Sequence, residues 1–376
     1  MRFDGESGWQ ILANTPHFIG IMSGTSMDGV DAVLAKMVQG RPEQVAASFI
    51  GFDDASRHEL IALNTPGPDE IHRAALAANH VADLYAGAAK LVLDKAGMTH
   101  ANITAIGAHG QTVRHRPQLG YSVQLLNGAR LTEKTGIRVV CDFRSRDIAA
   151  GGEGAPLVPA FHGAMFGEPR RNRVMLNLGG IANVTALKAG GNDVSGFDCG
   201  PANVFLDYWC EKHTGKRYDE NGAWAAGGVV VPDLLAAMLA EPFFAAAPPK
   251  STGRDLLSPE WLARFGVERF AAQDVQATLL ALTVRTVADS ILTHTGPPDD
   301  VLACGGGALN GELMGELSHA LAPARVTTTA DFGIDPMSVE ALAFAWLAWR
   351  TLEGLPGNLP SATGARGLRV LGAVYG

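Results

Sequence analysis

The sequence predicts an α/β protein built from two similar lobes, and three observations support this prediction. The chain has 376 residues, well above the ~150 residues of a typical domain. Strand-like and helix-like segments alternate along it, which indicates mixed sheets covered by helices. An apolar run, a polar turn and a second apolar run open the chain near Phe18, and the same pattern recurs near Arg173. We therefore expect duplicated mixed-sheet domains with helices and a ligand cleft between the lobes.

The first half predicts a hairpin followed by a strand–helix–strand unit. Its apolar runs have the composition of strands, and one long segment has apolar residues at helical spacing before a glycine cap. "ITAIGAHGQT" predicts a short buried strand that runs into a polar loop. The other predicted elements are strands Phe18–Met22, Val30–Met37, one from Gln44 and Ile137–Phe143, and a helix Ala74–Ala96 capped by Gly97.

The second half repeats this order. A glycine-rich passage from Ala149 separates the halves, and "RVMLNLGGIANVTAL" predicts a second hairpin over Arg173–Leu187. A long helix is predicted around Ala271–Thr293, then a strand in "DVLACGGG" whose glycines open a helix, and a last helix in "SVEALAFAWLAWRTLEG". We expect a first lobe of residues 1–148, completed by 345–376, and a second lobe of residues 149–344.

Composition narrows the class of partner. The chain carries 30 basic and 38 acidic residues, a net charge of −8, without a basic cluster that would indicate nucleic-acid binding. Its 4 cysteines are scattered, with no C-x-x-C pair, which predicts reduced thiols. We see no secretory signal and no run of the ~18 apolar residues needed to span a bilayer. A soluble, cytoplasmic protein is expected.

The turn in "FIGIMSGTSMDGVDAVLAKM" is longer than a hairpin requires and rich in glycines and hydroxyls. It lacks the lysine of the common phosphate loop, but successive turn amides can bind an anion without one. Carboxylates at Asp28 and Asp31 could hold Mg²⁺. An ordinary turn is the alternative, since these residue types dominate turns. The candidate phosphate residues are Gly24, Thr25, Ser26, Met27, Asp28, Gly29, Val30 and Asp31.

Two carboxylates are candidates for catalysis. Asp198 in "FDCGPAN" precedes a Gly-Pro turn, where it could act as a base or merely bond turn amides. Glu340 in "MSVEALAF" begins an apolar helix, where a glutamate commonly only favours the helix dipole.

Three polar segments are candidate substrate contacts, with solvated loops as the alternative. "AHGQTVRHRP" contains His109, Gln111 and Thr112, whose side chains suit sugar hydroxyls or a carboxylate; the spacing to His115 does not match a zinc site. "DFRSRD" places Arg144 at the end of a strand, where ligands bind in open sheets. "PPKSTGRD" supplies Lys250, Ser251 and Arg254 in a loop that is expected to shape the cleft and could contact phosphate.

Two polar turns facing each other, each between antiparallel strands, resemble the phosphate clamp of the actin, sugar-kinase and chaperone ATPase superfamily. A closer resemblance is carried by "GIMSGTSMDGVD", "HGQTVRH", "DFRSRDIAAGGEGAPLVP", "NLGGIANVT", "FDCGPANVFLD", "PPKSTGR" and "CGGGALN", in this order. Together they resemble the anhydro-N-acetylmuramic acid kinase family, from Phe18 to the final "LGAVYG". Cys199 departs from the threonine usual at that position.

The resemblance implies a homodimeric bacterial enzyme that uses ATP, Mg²⁺ and water to open and phosphorylate 1,6-anhydro-N-acetylmuramate during peptidoglycan recycling. It implies Asp198 as the base and a substrate contact in "DFRSRD", without deciding which arginine makes it. From the residues, we expect Glu340 as a second carboxylate and sugar contacts at His109, Gln111, Thr112 and Arg144. The resemblance also implies nucleotide contacts in the first turn and at two further glycine motifs: Asn177, Gly179, Gly180, Asn183, Gly305, Gly306, Gly307 and Asn310.

Two other function classes remain open from the residues. An ATP-coupled hydrolase that opens a cyclic amide would use a similar clamp. A non-catalytic, actin-like nucleotide switch or filament would share the fold, although the donors in "HGQTVRH" would then have no ligand.

Overall fold

The computed structural model describes residues 15–24, 27–190, 194–248, 250–253 and 256–376. The first half of the chain supplies β1 His17–Met22, β2 Gly29–Val38, β3 Arg41–Gly51, α1 Asp54–Ala62, α2 Glu70–Ala96, β4 Ile103–Ala108, β5 Gln111–Arg116, β6 Tyr121–Leu125, α3 Gly128–Thr135, β7 Val139–Cys141, α4 Ser145–Ala149 and α5 Val158–Phe166.

The second half supplies β8 Arg173–Leu178, β9 Ile181–Leu187, β10 Val194–Pro201, α6 Asn203–Thr214, α7 Ala223–Ala226, α8 Pro232–Leu239, α9 Pro242–Ala245, α10 Pro259–Ala263, α11 Ala272–His294, β11 Asp300–Cys304, α12 Gly311–Ala320, β12 Arg325–Thr328, α13 Val339–Leu352, α14 Pro360–Thr363 and β13 Ala373–Tyr375. Short 3₁₀ turns lie at His100–Asn102, Pro117–Leu119, Glu220–Gly222, Val267–Arg269, Gly306–Leu309 and Thr329–Phe332.

Two mixed sheets repeat one topology. The first has the order β13-β7-β4-β1-β2-β3 and the second β10-β9-β8-β11-β12. In each, an antiparallel meander of three strands is followed by two parallel strands on the other side of the first strand. The predicted duplicated α/β architecture is confirmed by this repeated order.

Two helices cover the facing surfaces of the sheets. Helix α13, late in the chain, returns to pack on β1, β2 and β4 of the first sheet, while α5, which follows the glycine-rich passage, packs on β9 and β10 of the second. Both helices contribute to a central apolar cluster that joins the facing surfaces of the two sheets, with Phe18 and Val33 from one and Met175 and Leu302 from the other. The predicted lobe boundaries stay a prediction, and the one at residue 345 falls inside α13.

Several predicted elements are confirmed, and one is wrong. Helix α2 ends at Ala96, and Gly97 caps it with a φ of 64°. The segment after β4 was expected to be a polar loop, but Gln111–Arg116 and Tyr121–Leu125 pair as an antiparallel hairpin. The alternation there is obscured because Gln111 is polar yet fully buried.

Helix α11 is long and apolar enough to cross a membrane by length and composition alone. In the structure, 78% of its most apolar window is buried, and its side chains form much of the core beside the second sheet. The helix is therefore accounted for as a core element.

Candidate active site

A row of polar side chains crosses the second sheet at one level. Asp198 on β10 pairs with Asn183 on β9, which pairs with Asn177 on β8. Directly paired residues project from the same face of a sheet, and on this face lie Met175 and Leu187 of the central cluster. The three polar side chains therefore face the space between the two sheets.

The Asp198 carboxylate is held in a defined orientation. The strand register shifts immediately after it and leaves Cys199 as a bulge, a feature that re-aims side chains beside active sites. The Ser251 hydroxyl and the Thr252 backbone N–H donate to Oδ2 at 3.0 and 2.9 Å. Burial raises the pKa of Asp198, although these bonds and Lys250 act to lower it. A half-buried carboxyl with a raised pKa is suited to proton transfer.

The glycines of the second hairpin and of "CGGG" meet beside this row. A Cβ on Gly180, at the hairpin tip, would have no heavy atom within 4 Å. Gly305 has a φ of +80°, and a Cβ there would lie 2.6 Å from Asn177 Oδ1 and 2.9 Å from the Leu178 backbone. The glycine run can therefore pack on the hairpin only without side chains, and the tip is left open to a ligand.

The end of the "CGGGALN" motif also has a structural role. Asn310 accepts a hydrogen bond from the Leu313 N–H at 3.1 Å and so caps α12. A Cβ on Gly307 would lie 2.7 Å from Leu178 Cβ. The oxygen of Asn310 is thus engaged by the helix, and Gly307 packs under the second hairpin.

Two residues of the first turn, Met27 and Val30, have buried side chains. Thr25 and Ser26 lie outside the described residues. The side chains of Met27 and Val30 are buried in the cluster between the first sheet and α2. Only the main chain of these two residues could contact a nucleotide.

Asp31 is the centre of an acidic group. Asp31 and Val33 are two residues apart on β2, so their side chains project from the same face of the sheet. Because the Val33 side chain belongs to the central cluster, Asp31 also faces the space between the sheets. Burial raises its pKa to about 7, with further contributions from the nearby carboxylates of Asp28, Glu340 and Asp335. A cation among these groups would relieve their repulsion.

The donor set fits a hydrated Mg²⁺. Among the residues that the structure describes, no three His, Cys, Asp or Glu side chains form a group able to hold a metal ion. Mg²⁺ typically binds one or two carboxylates and completes its shell with water and phosphate oxygens. Asp28 and Asp31 can supply that share without a protein cage.

Glu340 is held in place by two glycines beneath its helix. Gly20 on β1 and Gly107 on β4 are neighbours in register. A Cβ on Gly20 would lie 1.8 Å from the carbonyl oxygen of Ala341, and one on Gly107 would lie 2.0 Å from that of Phe344. Because α13 rests directly on the sheet backbone, its first turn and Glu340 reach the acidic group around Asp31.

A buried hydrogen-bond chain supports the first turn. Arg144 donates from Nη2 to His109 Nε2 at 2.8 Å. Because arginine has no acceptor, Nδ1 carries the histidine proton. That proton is donated to the Ser23 carbonyl at 3.2 Å. Burial lowers the pKa of His109 to about 3, which keeps the ring neutral. Gln111 Nε2 donates to the Gly24 carbonyl at 3.1 Å.

These contacts give the "HGQT" residues a role that the sequence did not indicate. His109 and Gln111 are 5% and 0% exposed and hold the carbonyls that enter the first turn. Thr112 accepts from Gln124 Nε2 at 3.2 Å on the adjacent strand. Contact of His109, Gln111, Thr112 or Arg144 with a sugar stays a prediction.

Sequence reasoning missed three residues of this region. The Tyr85 hydroxyl lies 2.8 Å from Ser23 Oγ, and Asn203 Nδ2 donates to the carbonyls of Leu178 and Gly179, each at 2.9 Å. Asp335 belongs to the acidic group. Asn203 lies in the "FDCGPAN" motif and could have been found there, whereas Tyr85 and Asp335 carry no local signal.

Known proteins match nearly the whole length of this chain. A family model described as anhydro-N-acetylmuramic acid kinase matches residues 16–376. A protein of that name from Chromobacterium violaceum is 53% identical over 365 residues, which cover 96% of this chain and 99% of the relative. Another from Bordetella pertussis is 56% identical over 363 residues, or 95% of each chain.

The similar solved structures have much lower sequence identity to this chain. The activator of the 2-hydroxyisocaproyl-CoA dehydratase from Clostridium difficile, with bound ADPNP, has 16% identity and a TM-score of 0.48 and covers 90% of this chain and 96% of its own. A ROK family glucokinase from Streptomyces griseus, in complex with glucose and AMPPNP, has 14% identity and a TM-score of 0.41, with coverages of 88% and 98%. From the family model and the close relatives, the chain belongs to the anhydro-N-acetylmuramic acid kinase family.

Proposed function

We propose that this chain is an ATP-dependent kinase that converts 1,6-anhydro-N-acetylmuramate and water to N-acetylmuramate 6-phosphate and ADP, in peptidoglycan recycling. The observation that supports this most directly is that the row of Asp198, Asn183 and Asn177 and the acidic group around Asp31 both lie on sheet faces turned toward the space between the sheets. This arrangement offers an oriented base on one side and anion-binding turns on the other.

Asp198 acts as the general base. It takes a proton from a water molecule, whose oxygen attacks the anomeric carbon C1. The C1–O6 bond breaks as O6 bonds to the γ-phosphorus, and the bond from that phosphorus to the bridging oxygen of ADP breaks. A carboxylate near C1 also stabilises the positive charge that develops there.

The nucleotide phosphates lie between the two hairpins, against the backbone of Gly24–Asp31 and of Gly179 and Gly180, with adenosine near Gly305–Asn310. The approachable Gly180 backbone supports this arrangement. Asp28 and Asp31 would hold Mg²⁺, which would neutralise charge on the transferred phosphoryl group. Arg144 and Glu340 orient the sugar beside them.

The protein is cytoplasmic and homodimeric in this proposal. All four cysteines are free and buried, which is compatible with a reducing compartment. Light scattering coupled to size exclusion tests the dimer directly, and a monomer mass would refute it.

The Asp198→Asn variant tests the mechanism. Asparagine keeps the size and an oxygen that can accept from Ser251 and Thr252, so binding of ATP and sugar should persist while kcat falls by about 10³-fold or more. Asp233→Asn, an exposed residue on α8, is the matched control.

Mass spectrometry of the wild-type reaction separates the alternatives. Phosphorylated sugar supports the kinase. Its absence with ATP turnover on a cyclic amide supports the ring-opening hydrolase, and nucleotide-dependent sedimentation without turnover supports a switch or filament.

A further inference from the structure

Asp147 on α4 is a fully buried carboxylate, with an exposed fraction of 0%. Three donors converge on it. The Gly154 N–H donates to Oδ2 at 2.9 Å, and Asn358 Nδ2 and the Thr363 hydroxyl both donate to Oδ1 at 2.8 Å. Two of these donors come from the far C-terminal segment, more than 200 residues away in sequence. The carboxylate thus ties that segment to the loop of residues 150–154.

The loop is wrapped closely around this carboxylate. A Cβ on Gly152 would lie 2.2 Å from Asp147 Oδ2. Backbone bonds reinforce the junction, from Glu153 N–H to the Thr363 carbonyl at 2.7 Å and from Arg366 N–H to the Ala150 carbonyl at 2.9 Å. A buried charge is costly unless its hydrogen bonds are complete, so the position of the loop depends on all three donors.

The loop of residues 150–154 also anchors the hydrogen-bond chain that supports the first turn. Arg144 Nη1 donates to the Gly154 carbonyl at 2.8 Å, while its Nη2 donates to His109. His109 in turn donates to the Ser23 carbonyl. One continuous hydrogen-bonded path therefore runs from the C-terminal segment through Asp147, Gly154, Arg144 and His109 to the first turn.

We infer that Asp147 is a positioning residue for the sugar side of the site, and that the C-terminal segment acts through it to set the place of Arg144. This inference rests on the proposed kinase function. Asp147 touches no substrate; it fixes the loop whose carbonyl anchors one side of the Arg144 guanidinium. The perturbation should appear in the KM for the sugar more than in the KM for ATP.

The Asp147→Asn variant places an amide donor against either the Gly154 N–H or the Asn358 amide. We expect the KM for the sugar to rise tenfold or more, with the KM for ATP changed less than threefold, because a buried donor is left unsatisfied. Hydrogen exchange of residues 150–154, measured without substrate, should accelerate at the same time.

The double variant Asp147→Asn, Asn358→Asp is the rescue. The side-chain amide introduced at position 147 can donate to the new carboxylate at 358, while its oxygen accepts from the Gly154 N–H. The carboxylate at 358 can still accept from the Arg369 N–H but cannot donate to the Gly367 carbonyl as Asn358 does. The double variant should therefore recover part of the wild-type sugar KM and of the slow hydrogen exchange, and more of both than Asp147→Asn alone. Glu353→Gln, an exposed carboxylate at the end of α13, is the control and should behave as wild type.

Thr363→Val removes one donor and serves if Asp147→Asn does not fold, with a rise in sugar KM of a few fold expected. Folded variants with an unchanged sugar KM, or equal rises in both KM values without rescue, would overturn the inference. Wild-type protein without turnover would instead refute the proposed function. In that case, unchanged exchange of residues 150–154 in the variants would overturn the inference, and faster exchange would support the loop-holding role.

Discussion

Replacing Gly20 by alanine tests whether the contact between α13 and the first sheet sets the active-site geometry. The added Cβ would lie 1.8 Å from the Ala341 carbonyl oxygen and 2.6 Å from the Ala345 nitrogen. Both are backbone atoms of a helix and cannot rotate away. Since real Cβ atoms essentially never approach closer than 3.0 Å, the helix and sheet must separate by about 1.2 Å.

The magnitude follows from this separation. Overpacking of a filled core costs about 1–3 kcal/mol of unfolding free energy. Glu340 precedes Ala341 and moves with the helix, and a displacement of about 1 Å at a catalytic centre can cost about 100-fold in rate. We therefore expect Gly20→Ala to lower kcat/KM about 100-fold and to lower the melting temperature measurably.

The assay combines steady-state kinetics with thermal unfolding. Gly315→Ala is the matched control, because a Cβ at this exposed position of α12 meets nothing within 4 Å. It should stabilise the protein by about 0.5–1 kcal/mol and leave kcat/KM unchanged. A Gly20→Ala protein with wild-type kcat/KM and melting temperature would show that α13 is not held by backbone contact.

Three further predictions concern the core, the nucleotide site and the thiols. Burial lowers the pKa of His162 to about 3, so the unfolded chain binds its proton first and stability is lost as pH falls from about 6.5 toward 3. His162→Gln, which can still bond the Thr185 hydroxyl, should lose less unfolding free energy over that range in denaturant titrations. Gly305→Ala should raise the KM for ATP at least tenfold, because its Cβ would strike Asn177; an unchanged KM would exclude the glycine run from the nucleotide site. The four buried thiols, whose pKa values are raised by burial, should react with a disulfide reagent only on unfolding, and rapid labelling of the native protein would contradict this.

Local patterns account for much of the fold. Apolar runs on either side of a glycine-rich turn predicted both hairpins, and the left-handed conformation required at Gly97 marked the end of α2. The hairpin after β4 escaped because Gln111 and His109 are polar but buried. Their burial is stabilised by bonds to the Ser23 and Gly24 carbonyls, which are distant in sequence and invisible to local periodicity.

In the candidate site too, some residues could be predicted from local sequence and others could not. Asp198 and the glycine motifs could be selected because each is marked by a short local sequence motif that contains glycine. The grouping of Asp31 with Asp335 and Glu340 depends on how α13 returns to the first sheet. The use of Asp147 as a buried acceptor likewise depends on residues 358 and 363. Tertiary contacts decide both, and no spacing rule within one segment anticipates them.

The return of α13 to the first sheet has a consequence for synthesis on the ribosome. Strands β1, β2, β3, β4 and β7 of the first sheet are complete at Cys141, but α13, the helix that covers one face of them, ends only at Leu352. At 5–20 residues per second, the intervening translation lasts about 10–40 s. Throughout that interval a nascent chain presents an uncovered apolar sheet, so chaperone occupancy on stalled ribosomes should be greatest for lengths between these two residues.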